Sequence, residues 1–165
     1  MWWARTLLAV TLLLAGPEPV RPGSGEKCPV CGMFVVRYPD WVAGIRFAGG
    51  DRVLFDGAKD LFKFLLKFED YGAVMRRTDV ASVFVTDYYS LKPVEARAAF
   101  YVTGADVLGP MGDELVPFGR REDAEEFQRD HHGQKLYRFA DVTPVLLKAL
   151  EIGRASCRER VCLLV

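Results

Sequence analysis

The sequence is poor in several residue types on which common functional sites depend. It has two histidines, four cysteines, and equal numbers of basic and acidic residues, 22 of each. Without an excess of positive charge, a nucleic-acid-binding surface is not expected. No second C-x-x-C pair and no H-x3-H pair accompany the first C-x-x-C, which leaves at most half of a structural zinc site. No Ser-His-Asp order, paired-carboxylate site or phosphate loop is evident, so nothing in the sequence requires catalysis.

The first 24 residues have the character of an export signal. Arg5 supplies a positive charge before an apolar run at 6–16, which is too short to cross a bilayer as a helix of about 20 residues. Prolines at positions 17, 19 and 22 then end any helix. We therefore interpret residues 1–24 as a signal peptide or export anchor, and we expect the protein to work outside the cytoplasm.

The last residues also differ from the rest of the chain. Residues 154–165 follow a predicted helix end, show no periodicity, and resemble a translated adapter sequence more than a native tail. A frayed native end is the alternative interpretation. On the first interpretation, Cys157 and Cys162 have no function. Residues 25–153 then form a single domain, with enough hydrophobic residues for one core.

Hydrophobic periodicity predicts an α+β fold made of two related β-β-α-β units with antiparallel strands. In the first unit, a helix capped by Asp56 runs to about residue 69, and we expect strands at 41–47, 52–55 and 81–88. In the second unit, a helix covers 120–130, and we expect strands at 98–103, 114–118 and 134–139. A final helix opens at Pro144 and runs to Leu150.

The motif CPVCGM at residues 28–33 carries the strongest functional signal. The thiols of Cys28 and Cys31 can turn toward one point, and Met33 adds a thioether. Soft sulfur ligands select soft ions, copper(I) above all, and a thioether is a poor ligand for zinc. Half of a zinc site, a redox pair and a structural disulfide are the alternatives. The motif precedes a strand, so it lacks the strand-to-helix context of thioredoxin-like redox pairs.

Three further residues are candidate copper ligands. Met111 lies in a Gly-Pro-Met-Gly turn, where a sulfur that cannot form a disulfide suits an exported site. A loop residue that caps the core is the alternative. His131 and His132 close the helix predicted at 120–130, and each is a candidate imidazole ligand. A histidine that interacts favourably with the helix dipole is the alternative.

One aromatic stretch stands apart from this metal chemistry. Asp87, Tyr88 and Tyr89 close a predicted strand. They form either a docking surface or an aromatic edge of the sheet, and we favour the edge.

The motifs taken together resemble the NosL family, from about residue 28 to residue 150. Each piece is weak alone, but the order and spacing of all of them are fairly specific. The resemblance rests on CPVCGM near the start of the mature chain, Asp87-Tyr88, Gly109-Pro110-Met111-Gly112, Glu114-Leu115-Val116-Pro117-Phe118, Asp123-Ala124-Glu125-Glu126-Phe127 and His132-Gly133.

The resemblance implies an exported copper(I)-binding accessory protein that is not an enzyme. The family is associated with delivering copper to nitrous oxide reductase during assembly of its copper sites, and its fold is similar to a pair of related β/α units. Carried over residue by residue, its soft ligand positions are Cys28, Cys31, Met33 and Met111, with a histidine, His131 or His132, completing the sphere.

The resemblance also implies a location and partners. Family members are usually lipoproteins, and here Pro17 stands where the lipid-bearing cysteine would be, which leaves a membrane tether open. We expect the protein in the periplasm or at the extracytoplasmic face of the membrane. The expected partners are a copper ion, Cu(I), and a recipient copper enzyme, nitrous oxide reductase. An extracytoplasmic thiol–disulfide redox protein that uses Cys28 and Cys31 is the alternative function.

Overall fold

Two antiparallel sheets and the helices packed on them form the part of the chain that the computed structural model describes, residues 20–71 and 75–161. Of residues 153–161 only the backbone is described. The predicted signal segment lies outside the described residues up to position 19, and so do residues 162–165 of the predicted tail.

All the paired strands are antiparallel, and helices accompany both sheets of the described chain, which confirms the α+β class. The strands are β1 (Ala43–Phe47), β2 (Arg52–Phe55), β3 (Val80–Thr86), β4 (Pro93–Glu95), β5 (Phe100–Thr103), β6 (Val116–Phe118) and β7 (Lys135–Arg138). The α-helices are α1 (Ala58–Leu66), α2 (Phe68–Tyr71), α3 (Arg121–Asp130) and α4 (Pro144–Val161). Within the described residues, none of these helices combines the length and the apolar character needed to cross a membrane.

The two units share one strand arrangement. In each unit the first strand is central and pairs antiparallel with the second strand and with the strand that follows the helix. The resulting orders are β2-β1-β3 and β6-β5-β7, which agrees with the predicted pair of related units. The first sheet has an additional edge strand, β4. The sequence pattern does not reveal β4, because three residues that begin with a proline show no alternation.

Several predicted boundaries differ from the structure. The first helix ends at Leu66, and a short second helix follows at Phe68–Tyr71. The first strand begins at Ala43, because Pro39–Trp41 forms a 3-10 turn with proline at its first position. The predicted cap at Asp56 is wrong: Gly57 is the residue that precedes α1, and no side chain caps the helix. The last helix continues past its predicted end to Val161.

The larger core lies between the first sheet and α1. Leu61, Phe62 and Phe64 are buried, as expected for a helix whose apolar residues recur every three to four positions. The ring of Phe62 lies 5.1 Å from that of Tyr101 on β5, so α1 also contacts the second unit. Burial of each such side chain contributes about 1.5–3 kcal/mol. Cys28 belongs to this core, which ties the CPVCGM loop to it.

A smaller core fills the second unit between its sheet and α3. Its buried members are Val102, Val116, Phe118, Ala124 and Phe127. Trp41 and Tyr88 pack against this cluster from the first unit, so aromatic side chains from both units meet there.

Candidate metal centre

The CPVCGM loop is closed by its own backbone. The N–H of Cys28 donates to the carbonyl of Met33 at 2.8 Å, and the N–H of Gly32 donates to the carbonyl of Cys28 at 2.8 Å. Gly32 has a φ of 77°, a left-handed conformation that glycine adopts without steric cost. An isolated bridge between Lys27 and Phe34 pins the two ends. The loop therefore holds both cysteines in one tight turn.

Two buried carboxylates from the start of α1 face the two thiols. The Cys28 thiol donates to Asp60, with Sγ 3.3 Å from Oδ2. The Cys31 thiol donates to Asp56, with Sγ 3.3 Å from Oδ1. One ligand atom from each of these four residues lies within 4.8 Å of all the others. We call these four residues the Cys–Asp cluster.

Sequence reasoning missed both aspartates of this cluster. Asp56 was interpreted as a helix cap, and Asp60 was not singled out. A signal was present, because Asp60 lies four positions before Phe64 on the apolar face of a predicted helix. A carboxylate on such a face is buried on folding and needs a partner.

Burial and negative charge keep the thiols protonated in the metal-free protein. Burial, reinforced by the charges of Asp60 and Asp56, raises the pKa of Cys28 well above its ordinary range. Burial is also the main cause that raises the pKa of Cys31 to about 12, and Asp60 adds to it. Reactive redox cysteines have the opposite property, a lowered pKa that supplies thiolate. The environment therefore suits a site that a cation must complete better than a disulfide-exchanging pair.

One carboxylate oxygen of Asp60 has an ion-pair partner but no hydrogen bond in the described residues. The side chain is 2% exposed, and Oδ1 makes no hydrogen bond in the described residues. The ammonium of Lys63 lies 3.3 Å from this oxygen and also contacts Glu151 at 2.6 Å. Because a buried charge without full pairing is costly, a bound cation in the cluster would stabilise this carboxylate.

Met33 and Met111 differ in their surroundings. Met33 is half-buried, and the hydroxyl of Tyr38 donates to its sulfur at 3.8 Å. Met111 is 36% exposed in a turn closed by backbone hydrogen bonds between Gly109 and Gly112.

A buried lysine ties the Met111 turn to α1. The ammonium of Lys59 donates to the carbonyl of Met111 at 3.0 Å and to the carbonyl of Asp113. Lys59 directly precedes Asp60, which contacts Cys28. The turn that carries Met111 is therefore fixed against the same helix turn that supplies the Cys–Asp cluster.

Glu114 strengthens this junction between the two units. Its Oε1 accepts the backbone N–H of Lys59 at 2.6 Å and that of Leu115 at 3.0 Å. Burial raises the pKa of Glu114 to about 7, although the charge of Lys59 acts in the opposite direction. The first turn of α1 thus receives an acceptor from the second unit.

The two histidines lie outside the Cys–Asp cluster. The ring of His131 stacks on Phe127 with centroids 4.4 Å apart, and its Nδ1 lies 2.9 Å from Oδ1 of Asp106. His132 is exposed and has a φ of 53°. Among the described residues, the group of potential metal ligands around the cysteines includes neither histidine.

Comparison with known proteins gives consistent results. The family model NosL matches residues 19–147. The copper-binding lipoprotein NosL of Stutzerimonas stutzeri is 29% identical over 142 residues, which cover 79% of this chain and 69% of that protein. The crystal structure of the copper chaperone NosL from Shewanella denitrificans superposes with a TM-score of 0.63 at 29% identity, over 78% of this chain and 99% of that one.

The family match includes the whole candidate site. The family model spans the Cys–Asp cluster, the Met111 turn and both sheets. The resemblance inferred from the sequence motifs is confirmed, and the chain belongs to the NosL family.

Proposed function

We propose that the protein is an exported metallochaperone that binds one copper(I) ion as cargo and delivers it to a copper enzyme. The observation that carries this proposal is the Cys–Asp cluster, in which two sulfurs and two carboxylates lie within 4.8 Å of one another. Thiol sulfur prefers soft ions such as copper(I). The relatives named above are described as a copper-binding lipoprotein and a copper chaperone.

Cysteine and methionine sulfurs form the proposed coordination sphere. At least one thiolate, from Cys28 or Cys31, binds the ion together with the thioether of Met111. Met33 stands beside the pair in the same loop and is the next candidate. The ion replaces thiol protons, and its charge offsets the nearby carboxylates. His131 and His132 lie outside the Cys–Asp cluster in the described structure. For either histidine to complete the coordination sphere, its side chain has to move toward the cysteines when the ion binds.

Unequal exposure of the sulfurs suits transfer of the ion. Cys28 is 1% exposed, whereas Met111 is 36% exposed and Cys31 is half-buried. A ligand from a recipient can therefore replace one of the more exposed ligands, Cys31 or Met111, while Cys28 still holds the ion. In this scheme the incoming ligand binds before a donor ligand leaves, so no free ion is released.

The proposed recipient is nitrous oxide reductase, and the protein acts without catalysing a reaction. The proposed location is the periplasm or the extracytoplasmic face of the membrane, in line with the export signal predicted at residues 1–24. The relative from Stutzerimonas stutzeri is a lipoprotein, which supports an exported setting for this chain as well.

An anaerobic copper(I) titration tests the proposal. The reduced chain is titrated against a competing copper(I) chelator and read out by native mass spectrometry. Cys157→Ser/Cys162→Ser serves as the background, so that only the sulfurs discussed above contribute. We expect one tightly bound ion per chain, and we expect Cys28→Ala/Cys31→Ala in that background to lose most of the affinity.

The titration also distinguishes the copper function from the alternative thiol–disulfide function. If the background variant binds no copper in competition with the chelator, the proposal is wrong. A thiol–disulfide protein would then be indicated by reversible oxidation of Cys28 and Cys31 and by exchange with a partner disulfide. The recipient is tested by mixing the copper-loaded protein with copper-free nitrous oxide reductase and measuring copper in each protein after separation.

A further inference from the structure

An open aromatic cavity lies at the end of β3, on residues other than those of the Cys–Asp cluster. Its volume is about 400 Å³, and it is lined by Asp40, Trp41, Tyr88, Tyr89, Leu91 and Val107. Three of these six side chains are aromatic and one is a carboxylate, and none is basic. Aromatic faces beside a carboxylate are the surroundings that organic cations prefer.

The loop that forms one wall is rigidly built. The carboxylate of Asp87, 4% exposed, accepts hydrogen bonds from the N–H and the hydroxyl of Ser90, both at 2.7 Å, and from the N–H of Gly119. This arrangement holds Leu91 at a φ of 55°, a left-handed conformation that is unfavourable for a branched aliphatic residue. Strain of this kind persists only where surrounding contacts enforce it, and it concentrates at functional positions.

The aromatic rings that line the cavity pack against other aromatic side chains. Tyr88 packs against Trp41 with centroids 6.1 Å apart and against Phe127 at 4.9 Å. Tyr89 packs on Phe118 at 5.5 Å and remains 46% exposed. The rings are therefore held in place by the smaller core while their outer parts meet solvent.

One carboxylate lines the cavity, and others lie near Tyr89. Asp40 makes no ion pair among the described residues, and the same is true of Asp123, Glu126 and Asp130 on α3. Burial is the main cause that raises the pKa of Tyr89, and the charges of these three α3 residues add to it. A cation is therefore the ligand that this surface complements.

We propose that the cavity binds the guanidinium group of an arginine side chain from a protein partner. A guanidinium is planar, stacks on aromatic rings and pairs with a carboxylate through two parallel N–H groups. Trp41, Tyr88 and Tyr89 supply the rings, and Asp40 supplies the carboxylate. Leu91 and Leu108, which are 54% and 57% exposed, extend the contact to apolar side chains that flank the arginine.

The test follows the full chain by NMR. Backbone amide signals of Trp41, Tyr89 and Leu91 are monitored during titration with the peptide acetyl-Gly-Arg-Gly-amide. The matched probe replaces arginine by citrulline, which has nearly the same shape and no charge. We expect saturable shifts with the arginine peptide and at least roughly tenfold weaker binding of the citrulline peptide.

Variants locate the site. Trp41→Leu should weaken binding of the arginine peptide by roughly tenfold, and Tyr89→Leu repeats the test at a ring that is 46% exposed. Asp40→Asn should weaken it by a smaller factor. Asp51→Asn, which removes an exposed carboxylate from the turn between β1 and β2, is the matched control and should leave binding unchanged.

Three outcomes would overturn the proposal. The first is equal binding of the two peptides, and the second is binding that survives both aromatic substitutions. The third is binding of tetramethylammonium as tight as that of the arginine peptide, which would assign the cavity to a small cation. Copper(I) affinity is measured on the same variants and should stay unchanged, so that failure here is distinguishable from failure of the proposed copper function.

Discussion

Each thiol of the cysteine pair has a carboxylate as its hydrogen-bond acceptor. Cys28 donates to Asp60 and Cys31 to Asp56. Burial raises the pKa of both thiols, and the charge of Asp60 adds to it, so the pair contains little nucleophilic thiolate at neutral pH. The same charges favour a cation between the side chains. At the scale of single residues, the chemistry therefore favours metal binding over disulfide exchange.

The role of the Met111 sulfur is tested by a substitution that preserves volume. Met111→Leu removes the thioether and keeps an aliphatic side chain of similar size at a partly exposed position. We expect the copper(I) affinity to fall by more than about tenfold, since a soft ligand is lost. The measurement is a chelator competition. Met75→Leu, at a methionine packed on the core away from the Met111 turn in sequence, is the matched control, and an equal loss in both variants would argue against a ligand role.

Helix α1 organises the site at the scale of elements. Its first turn directs Asp60 toward Cys28 and, one residue earlier, Lys59 toward the carbonyls of the Met111 turn. Glu114 returns an acceptor to the same turn. One helix end thus joins the CPVCGM loop of the first unit to a turn of the second unit.

Lys59 is expected to position Met111. Lys59→Met removes the ammonium that holds the carbonyls of Met111 and Asp113, and we expect roughly a tenfold loss of copper(I) affinity, as for other supporting residues of metal sites. A double-mutant cycle with Met111→Leu gives the decisive readout, because a positioning role makes the two losses non-additive. If the losses simply add, Lys59 affects copper(I) affinity independently of Met111, and the positioning role is wrong.

Glu114 makes the stability of the protein depend on pH. Its pKa in the folded protein, about 7, is above the ordinary value of 4.5, so folding favours the protonated form. This stabilisation is complete below about pH 4.5 and is lost as the pH rises through about 7. We expect a decrease on the order of 3 kcal/mol in the free energy of unfolding.

Urea denaturation at a series of pH values measures this effect. Glu114→Gln keeps the acceptor and removes the titration, so the decrease between pH 4.5 and 8 should be smaller in this variant than in the wild type. Glu69→Gln, at an exposed position on α2, is the control and should follow the wild type. Identical curves for all three proteins would show that Glu114 does not titrate in this range.

At the scale of the whole molecule, the proposed copper site links ion binding to folding. The Cys–Asp cluster joins the loop at 28–33 to α1, and Lys59 and Glu114 join α1 to the second unit. An ion that binds only this folded arrangement stabilises the entire domain. Loading and unfolding therefore become coupled equilibria.

This coupling predicts a rise in stability on loading. Free copper(I) at about 100 times its dissociation constant should raise the free energy of unfolding by about 2.7 kcal/mol. Thermal or urea denaturation under anaerobic, chelator-buffered conditions measures the change. Cys28→Ala/Cys31→Ala should show no rise, and a rise that persists in this variant would place the ion elsewhere.

The sequence by itself determined the features that depend on neighbours along the chain. Alternation over residues 41–47 predicted β1, and the Gly49-Gly50 turn predicted β2 as the returning strand, because a tight turn joins neighbouring antiparallel strands. The sulfur pair was recognisable because Cys28 and Cys31 are three positions apart, close enough for one turn to bring them together. The order of the motifs also indicated the family, which the family model confirms.

Only the tertiary structure decided which distant side chains complete the site. Asp60 is 32 residues from Cys28, and Met111 is 52 residues from Lys59. No local periodicity encodes such contacts, since they depend on how α1 packs against the first sheet and the second unit and on which carboxylates that packing buries. For the same reason the Tyr88–Tyr89 stretch, interpreted from the sequence as an aromatic edge, lines a cavity with Asp40 and Trp41. Packing brings these segments together because it buries apolar surface wherever in the chain that surface lies.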